Sequence, residues 1–303
     1  MRTGLLDIES LTRSDIEAIL SRSKDFQPAA GQPFQRFDLL RGRTVVNLFF
    51  EASTRTRTSF EIAAKRLGAE IISITASGSS VSKGESLVDT LNTLAAMRPD
   101  AIVMRHSASG APHFLSRYLP IPIINAGDGT HEHPTQALLD ALTIIDRRNT
   151  LDGLRVAIIG DIAHSRVARS NVFLLSKFGV QVVLCGPASL LPREIGQIAP
   201  GIELTSDMEE AIRAADVIMM LRVQLERQQD AAFPTSEYFQ FFGLRPEHME
   251  LAKTNAIVMH PGPINRGREI SSEVADSQRS AILNQVENGI AVRMAVLEKV
   301  LAA

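Results

Sequence analysis

The sequence predicts an α/β protein that consists of two doubly wound parallel-sheet domains with helices on both faces. Short runs of aliphatic and β-branched residues alternate along the chain with segments whose apolar residues recur at helical spacing. Parallel strands need a long crossover connection, usually a helix, so this alternation favours parallel sheets. The chain has 303 residues, and a single hydrophobic core usually stops growing near this length.

The pattern restarts near the middle of the chain, after the mostly polar stretch 149–153. We therefore predict domains at 1–148 and 149–303. The first should contain strands at 45–50, 71–74, 101–104 and 121–124 and helices at about 14–23, 59–68, 86–97 and 134–147. The second should contain strands at 155–159, 181–184, 217–221 and 256–259 and helices at 166–178, 207–214 and 277–301. The expected apolar stripe of the last helix is Ile282, Val286, Ile290, Met294 and Leu297.

Composition and charge exclude several classes of function. A formal net charge of −2 provides no general field for nucleic acid or an acidic membrane, so we expect neither partner. Cys185 is the only cysteine, which rules out an internal disulfide and indicates a reducing compartment. The start of the chain lacks the apolar run of a signal peptide, and no stretch approaches the roughly 20 apolar residues of a membrane span. We expect a cytoplasmic protein.

A cluster of hydroxyl and guanidinium groups lies where the first predicted strand ends and its helix is about to begin. It comprises Ser53, Thr54, Arg55, Thr56 and Arg57. The N–H groups and the positive dipole end of a helix start attract anions, and guanidinium groups suit phosphate. The cluster therefore indicates a phosphate site. The alternative is an ordinary helix cap beside two solvated arginines.

Arginines also follow other predicted strands. Arg105, Arg166 and Arg222 each adjoin an apolar run. Open α/β sheets bind their ligands beyond the carboxyl ends of the strands, which is where these side chains should lie. Phosphate donors in the first half and further arginines in the second suit two anionic substrates, because guanidinium pairs with both phosphate and carboxylate.

Other types of site are poorly supported. Gly160 opens a strand–turn–helix unit but lacks the glycine pattern of a dinucleotide site, and the chain has no P-loop or serine-hydrolase elbow. His131, Glu132 and His133 invite a metal interpretation, but no cysteine and no HExxH-type spacing accompany them, and a metal site normally needs three ligands. We therefore expect no cofactor and no metal.

Three motifs in a fixed order carry a family resemblance. They are Ser53 to Arg57, the Met104-Arg105-His106 stretch, and the stretch from His133 to Gln136. In this order and spacing they resemble the carbamoyl-phosphate half of the transcarbamoylases, the aspartate/ornithine carbamoyltransferase family. The resemblance covers nearly the whole chain.

Two further features are similar to the aspartate-using members of that family. Ornithine-using members typically carry a cysteine in a His-Cys-Leu-Pro stretch, whereas this chain reads His260-Pro261-Gly262-Pro263 there. The loop that contains Lys83 and the stretch from Arg222 to Gln224 also resemble the aspartate-using members. The resemblance therefore implies carbamoyl transfer from carbamoyl phosphate to L-aspartate in pyrimidine synthesis, with ornithine or another amino-acid acceptor as the alternative.

The resemblance also implies an assembly. Members of the family form catalytic trimers in which neighbouring chains share active sites, and the last helix returns to the first domain. The trimers can belong to larger assemblies with regulatory chains or a dihydroorotase-type partner. The expected small-molecule partners are carbamoyl phosphate and L-aspartate.

The resemblance implies which residues bind carbamoyl phosphate. Thr56, Arg105 and His133 would point at the carbonyl oxygen, and Gln136 would hold the carbamoyl nitrogen. Lys83 would come from the neighbouring chain. The full implied set is Ser53, Thr54, Arg55, Thr56, Ser79 (or the adjacent Ser80), Lys83, Arg105, His133, Gln136, Gly262 and Pro263. Those implied to be catalytic are Arg55, Thr56, Lys83, Arg105, His133 and Gln136.

The second domain is implied to bind the acceptor. The set that would hold the aspartate carboxylates is Lys83, Arg166, Arg222 and Gln224. The main-chain carbonyl of Pro261 would complete the site. Glu51 would bridge toward Arg166 and Arg227 when the domains close.

Overall fold

A computed structural model describes residues 4–28, 32–75, 86–223 and 235–302. The chain forms two compact units. Unit 1 consists of Met1–Leu139 with Glu287–Ala303, and unit 2 is Asp140–Val286. The division of the chain into domains at 148 and 149 stays a prediction.

Unit 1 is built on a parallel sheet whose strand order is β2-β1-β3-β4. Its strands are β1 Thr44–Phe49, β2 Glu70–Thr75, β3 Ala101–His106 and β4 Ile123–Asp128. Its helices are α1 Arg13–Phe26, α2 Thr54–Arg66, α3 Leu87–Ala96, α4 Ala111–Ser116, the first part of α5 Pro134–Arg148 and most of α10 Ile282–Leu301. The core consists of apolar strand residues such as Leu48 and Met104 packed against Leu91 and Leu115 from the helices.

Unit 2 is built on a second parallel sheet, of order β7-β6-β5-β8-β9. Its strands are β5 Arg155–Ile159, β6 Gln181–Cys185, β7 Ile202–Thr205, β8 Val217–Met220 and β9 Ile257–Met259. Its helices are α6 Arg166–Ser176, α7 Met208–Ile212, α8 Thr235–Phe242 and α9 Ser272–Ala275, and 3₁₀ turns lie at Ala188–Leu190, Arg193–Gln197 and Pro246–Glu250. The two parallel sheets confirm the predicted fold class.

Both sheets have their topological switch point beside the first strand of the unit. From β1 the chain moves outward to β2 and then returns to the other side at β3, and β5 with β8 repeats this arrangement. Neighbouring loops at a switch point diverge and leave a crevice at the carboxyl edge of the sheet. The loops that follow β1, β3, β5 and β8 therefore lie where open parallel sheets generally bind ligands.

Helix α10 packs on unit 1, which confirms the predicted return of the last helix. Arg22 of α1 pairs with Glu298 through Nε–Oε2 and NH2–Oε1 distances of 2.6 and 2.8 Å. The guanidinium of Arg293 lies 5.1 Å from the ring centre of Phe60 in α2. The predicted apolar stripe is wrong at Val286, which is 51% exposed, because the buried face of α10 at this end runs through Ile282 and Gln285, which are 7% and 2% exposed.

Several predicted boundaries are wrong. Helix α10 begins at Ile282 rather than 277, because Ala281 N–H is bonded to the Val258 carbonyl at 2.8 Å and holds the preceding segment beside β9. Strand β4 continues to Asp128, beyond the predicted end at residue 124. The sequence does not predict strand β7, since its four residues carry no continuous apolar run. None of the helices in the described parts of the chain has both the length and the hydrophobicity that a membrane span requires.

Candidate active site

The phosphate-type cluster lies at the start of α2. The helix begins at Thr54 and not near Ser59 as predicted, because Arg57 N–H already donates to the Ser53 carbonyl at 3.1 Å. The hydroxyl and guanidinium side chains therefore belong to the first helical turn. The first N–H groups of any helix have no acceptor within the helix, so this turn offers main-chain donors as well.

The side chains of this turn differ in exposure to solvent. Thr54 and Arg55 are exposed, Ser53 is half-buried and Thr56 is buried. Arg57 lies beside Glu61, with Nε 3.7 Å from the carboxylate. Arg57 thus takes part in an ion pair along the helix, and Arg55 is the more exposed of the two arginines.

Arg105 lies at the end of β3, at an irregularity of the sheet. Met104 pairs with Asn125 but His106 pairs with Asp128, so two residues of β4 lie opposite Arg105. Such bulges re-aim a side chain and often occur beside active sites. Arg105 donates from NH1 to the Ala126 carbonyl at 3.3 Å, and its Nε lies 3.2 Å from Glu51 Oε2.

The loop after β1 is tied to β3 through Glu51 and Phe50, which both contact Arg105. The Glu51 side chain is 19% exposed and that of Arg105 is 14% exposed, so the pair is largely shielded from water. Phe50 N–H donates to the Arg105 carbonyl at 2.9 Å and ties the same loop to β3. The bridge from Glu51 toward Arg166 and Arg227 stays a prediction.

His133 and Gln136 stand at the start of α5 and are 4% and 8% exposed. Asp128, which is fully buried, organises the turn in front of them. Its carboxylate accepts hydrogen bonds from Gly110 N–H at 2.6 Å and from Glu132 N–H at 3.2 Å. One carboxylate therefore links the loop after β3 to the loop that carries His133.

The hydrogen bonds around Asp128 also set its ionisation. Burial alone would raise the pKa of its carboxyl, but hydrogen bonds from His131, Asn125 and Gly110 outweigh burial, and the pKa lies below its ordinary value. Asn125 donates to this carboxylate at 2.8 Å. The Asp128 carboxylate therefore supports the turn as a hydrogen-bond acceptor. It is not a group that exchanges protons near neutral pH.

The neighbouring carboxylate, Glu132, anchors the start of the chain. It is fully buried and accepts from Ile8 N–H at 2.9 Å and from Glu9 N–H at 3.2 Å. His131 pairs with Asp128 at 3.1 Å. Two of the three residues that invited a metal interpretation are thus engaged in structural contacts of the protein itself.

In unit 2, Arg166 is the first residue of α6 and is 6% exposed. The Ser165 side chain accepts from Ala168 N–H at 3.1 Å and caps the helix. Asp161, in the turn between β5 and α6, accepts from His164 N–H at 3.2 Å and lies 2.8 Å from His164 Nδ1. Arg222 follows β8 and is half-buried.

Both halves of the chain match known protein domains. Residues 4–146 match the family model of the aspartate/ornithine carbamoyltransferase carbamoyl-P binding domain, and residues 152–300 match the Asp/Orn binding domain of the same family. The chain belongs to the aspartate/ornithine carbamoyltransferase family.

Relatives within this carbamoyltransferase family are similar over almost the whole chain. An aspartate carbamoyltransferase catalytic subunit from Solibacter usitatus is 79% identical over 99% of this chain and 100% of the relative. One from Syntrophotalea carbinolica is 55% identical over 97% and 93% of the two chains.

Solved structures of the family have the same fold. Aspartate transcarbamoylase from Trypanosoma cruzi, in complex with carbamoyl phosphate and aspartate, matches with a TM-score of 0.90 and 36% identity over 99% of this chain and 97% of that chain. Ornithine carbamoyltransferase from Pyrococcus furiosus matches with a TM-score of 0.89 and 31% identity over the same shares.

Within unit 1 of this carbamoyltransferase, the motif residues lie at or after the carboxyl ends of the adjoining strands β1, β3 and β4. In unit 2, Arg166 and Arg222 follow β5 and β8, the strands that flank the second switch point. The residues Ser79, Ser80, Lys83, Gln224 and Arg227 lie outside the described residues, so their roles stay predictions.

Sequence reasoning missed the residues that support these motifs. Asp128, Glu132 and the buried pair His260–Glu269 hold the candidate loops through contacts that no short motif reveals. A usable signal did exist for Asp128 and Glu132, since acidic residues within a strand-end loop beside apolar runs are candidates for buried hydrogen-bond acceptors.

Proposed function

We propose that this protein transfers the carbamoyl group of carbamoyl phosphate to the amine of L-aspartate, giving N-carbamoyl-L-aspartate and phosphate. One observation carries the proposal: the chain is 79% identical, over 99% of its length, to an aspartate carbamoyltransferase catalytic subunit. The positions of the candidate residues at the two switch points support it, because those positions suit ligand binding in parallel sheets.

The first domain, 1–148, binds carbamoyl phosphate in this proposal. The phosphate lies at the start of α2, where main-chain N–H groups and the helix dipole favour an anion. Ser53, Thr54 and Thr56 add hydroxyl donors, and Arg55 adds a guanidinium that pairs with phosphate oxygens. Support comes from the position of Thr54 to Thr56 in the first helical turn.

The carbamoyl carbonyl faces the buried donors. Thr56, Arg105 and His133 donate toward its oxygen, and Gln136 holds the carbamoyl nitrogen. Thr56, His133 and Gln136 are each at most 8% exposed, and donors in such surroundings act on charge more strongly than donors in water. Each preorganised donor of this kind contributes about 10²–10³ to the rate.

The second domain, 149–303, holds the acceptor. Arg166 and Arg222 bind the aspartate carboxylates, together with Gln224 and the neighbouring chain's Lys83. The Pro261 carbonyl and the turn through Gly262 and Pro263 complete the site. Guanidinium groups at strand ends support this assignment, since they bind carboxylates in a two-pronged geometry.

The chemistry needs no protein nucleophile. The unprotonated amine of aspartate attacks the carbonyl carbon, the carbonyl oxygen gains negative charge, and the C–O bond to phosphate then breaks. The amine proton passes to the departing phosphate, which is a sufficient base. The protein's task is to orient two anions and exclude water, and orientation of this kind supplies roughly 7–11 kcal/mol in favourable cases.

A second candidate acceptor is ornithine, because the matching domain model covers both acceptors. Purified protein should be supplied with carbamoyl phosphate and, separately, with L-aspartate, L-ornithine and other amino acids, with carbamoylated product measured by colour reaction. Turnover with aspartate and little with ornithine is the expected result. Preference for ornithine, or absence of turnover with every acceptor, would contradict the proposal.

The proposed cellular setting is pyrimidine biosynthesis in the cytoplasm, in a homotrimer whose neighbouring chains share sites, with or without regulatory chains or a dihydroorotase-type partner. Lys83→Ala and Arg55→Ala chains, each inactive alone, should regain activity when mixed and reassembled, because some composite sites contain neither change. A verified mixed trimer that stays inactive would argue against shared sites.

A further inference from the structure

The turn after β9 is closed by the imidazole of His260. Gly262 N–H donates to His260 Nδ1 at 2.8 Å, across a single intervening residue. His260 is 1% exposed, whereas Pro261 and Gly262 are half-buried. Gly262 has a φ of 70°, a left-handed conformation that glycine adopts readily. The imidazole therefore fixes the path of the main chain that the proposed function assigns to substrate binding.

These contacts define the tautomer of His260. Because Nδ1 accepts a hydrogen bond, it carries no proton, and the ring proton is on Nε2. Nε2 lies 3.2 Å from Glu269 Oε1 and is placed to donate to it. The imidazole is thus a neutral two-ended link between the Gly262 main chain and a carboxylate.

Glu269 also fixes the segment that follows the turn, through a hydrogen bond from Asn265. The same oxygen, Oε1, accepts from Asn265 N–H at 2.5 Å, and the side chain is fully buried. Oε1 of Glu269 therefore holds both the imidazole of His260 and the main chain at Asn265. A buried carboxylate that has such donors is costly to disturb, because removing a partner leaves it unpaired.

A chain of buried amide and carboxylate groups fixes the main chain on the other side of His260. His260 N–H donates to Gln285 Oε1 at 2.9 Å, and Gln285 Nε2 donates to Asp140 Oδ1 at 2.7 Å. Asp140 Oδ2 accepts from Asn171 Nδ2 at 2.8 Å in α6, the helix that Arg166 opens. The turn at 260–263 and helix α6 are thus connected within unit 2.

We infer that His260 is a positioning residue for this reaction: its Nδ1 holds Gly262 N–H, and thereby aims the Pro261 carbonyl and the Gly262 main chain at the substrate. The inference rests on the proposed function and deepens it. His260 itself, buried behind the turn, does not contact the substrate. Its effect on the reaction passes through the geometry of residues 261–262.

Two variants of His260 separate positioning from packing. In His260→Asn the side-chain oxygen stands at about the distance of Nδ1 and can still accept from Gly262 N–H, whereas the link to Glu269 is lost. In His260→Gln the carboxamide reaches toward Glu269 but has no acceptor at the place of Nδ1. Both variants remove the ring, so both should lose thermal stability.

The two kinetic outcomes should differ. Per folded protein, we expect His260→Gln to lose roughly ten- to a hundred-fold in kcat/KM, a loss of the size that small misplacements cause. His260→Asn should stay within about three-fold of the wild type. Equal kinetics of the two variants at equal stability loss would overturn the inference, because a purely structural role predicts that result.

A second pair of variants applies if the His260 variants do not fold. Glu269→Gln keeps an acceptor at Oε1 and should keep near-wild-type kinetics, whereas Glu269→Ala releases the imidazole and should lose roughly ten-fold or more. The reverse order, or equal kinetics, would overturn the inference. Absence of turnover in the wild type would overturn the proposed function, and this inference with it, whereas an active wild type with equal variants overturns the inference alone.

Discussion

Two strand-to-helix junctions of this molecule occupy equivalent places but are built differently. In unit 1, β1 leads into α2, and in unit 2, β5 leads into α6, each beside a switch point. A serine precedes both helices. Ser165 caps α6 by accepting from Ala168 N–H, whereas in the part of the chain that the structure describes Ser53 makes no side-chain capping bond on α2.

We call the start of α6, which has a side-chain cap, closed, and the start of α2, which has none from the residues described, open. A capped helix satisfies one of its own N-terminal donors, and an uncapped one leaves that donor to water or a ligand. Helices α1, α3 and α7 carry an acidic residue in the first turn, which suits the dipole, whereas α2 carries Arg55 and Arg57 there and α6 opens with Arg166. Among the described residues the start of α2 lacks a side-chain cap as well, so it gains most when an anion binds to it.

The largest expected effect is that of Arg55→Ala. Turnover should fall by about 10²–10³, since a guanidinium that binds the phosphate is lost. The thermal midpoint should stay nearly unchanged, because Arg55 is exposed. Steady-state kinetics and thermal unfolding measure the two quantities.

Arg57→Ala is the matched control, with the same charge change one residue beyond Thr56. Arg57 lies beside Glu61 at 3.7 Å, so we expect a clearly smaller loss of turnover. Equal losses in the two variants would show that total charge, rather than the open helix start, governs the effect.

A second test addresses unit 2. Arg222→Ala should raise KM for aspartate by roughly ten-fold or more, because a hydrogen-bonded ion pair with the acceptor is lost. The KM for carbamoyl phosphate should change far less. The opposite pattern would reverse the proposed roles of the two domains.

A third test concerns the network behind His133. The pKa of Asp128 is lowered in the folded protein, so its contribution to the free energy of unfolding is present above the unfolded value of about 3.9 and is lost as pH falls through the folded value. Unfolding by urea at pH 7, 5, 4 and 3 should show a decline below about pH 4, with at most about 1.4 kcal/mol per pH unit from this group.

Asp128→Asn provides the comparison for this measurement. It should be less stable at pH 7 and should have a shallower decline below pH 4, because the titrating group is gone. A decline as steep as that of the wild type would mean that other carboxyls account for the loss at low pH.

The smallest expected effects come from the two serines themselves. Ser165→Ala should lower the free energy of unfolding by about 1 kcal/mol, since it removes a cap. Ser53→Ala should change stability by less than about 0.5 kcal/mol, the usual range for sites without such a contact, but should weaken carbamoyl-phosphate binding. Equal stability losses would erase the distinction between the two junctions.

Much of this comparison could be predicted from the sequence. The alternation of apolar runs with helical patterns correctly indicates two parallel sheets, and strand-end arginines indicate where to look for ligands. The sequence pattern puts the start of α2 near Ser59 instead of Thr54, because a run of Ser, Thr and Arg has the composition of a turn. Only the main-chain bond from Arg57 to Ser53 shows that this run is helical.

The partners of the supporting residues Glu132 and Gln285 could not be predicted, because they lie far away in the sequence. Glu132 holds Ile8, a residue 124 positions away, and Gln285 holds Asp140, 145 positions away. A single sequence gives no sign of such pairs. The exposed Val286 is a related case. Helical periodicity indicates which residues share an apolar face, but it does not show where along the helix that face stops being covered by other residues.

The central claim is that the uncapped start of α2 binds the phosphate group. A crystal structure with a bisubstrate analogue that joins a phosphonate to aspartate tests it most directly. The phosphonate oxygens should lie about 3 Å from main-chain nitrogens in residues 54–56 and from the Arg55 guanidinium. A phosphonate bound at the start of α6, or away from α2 altogether, would contradict the claim.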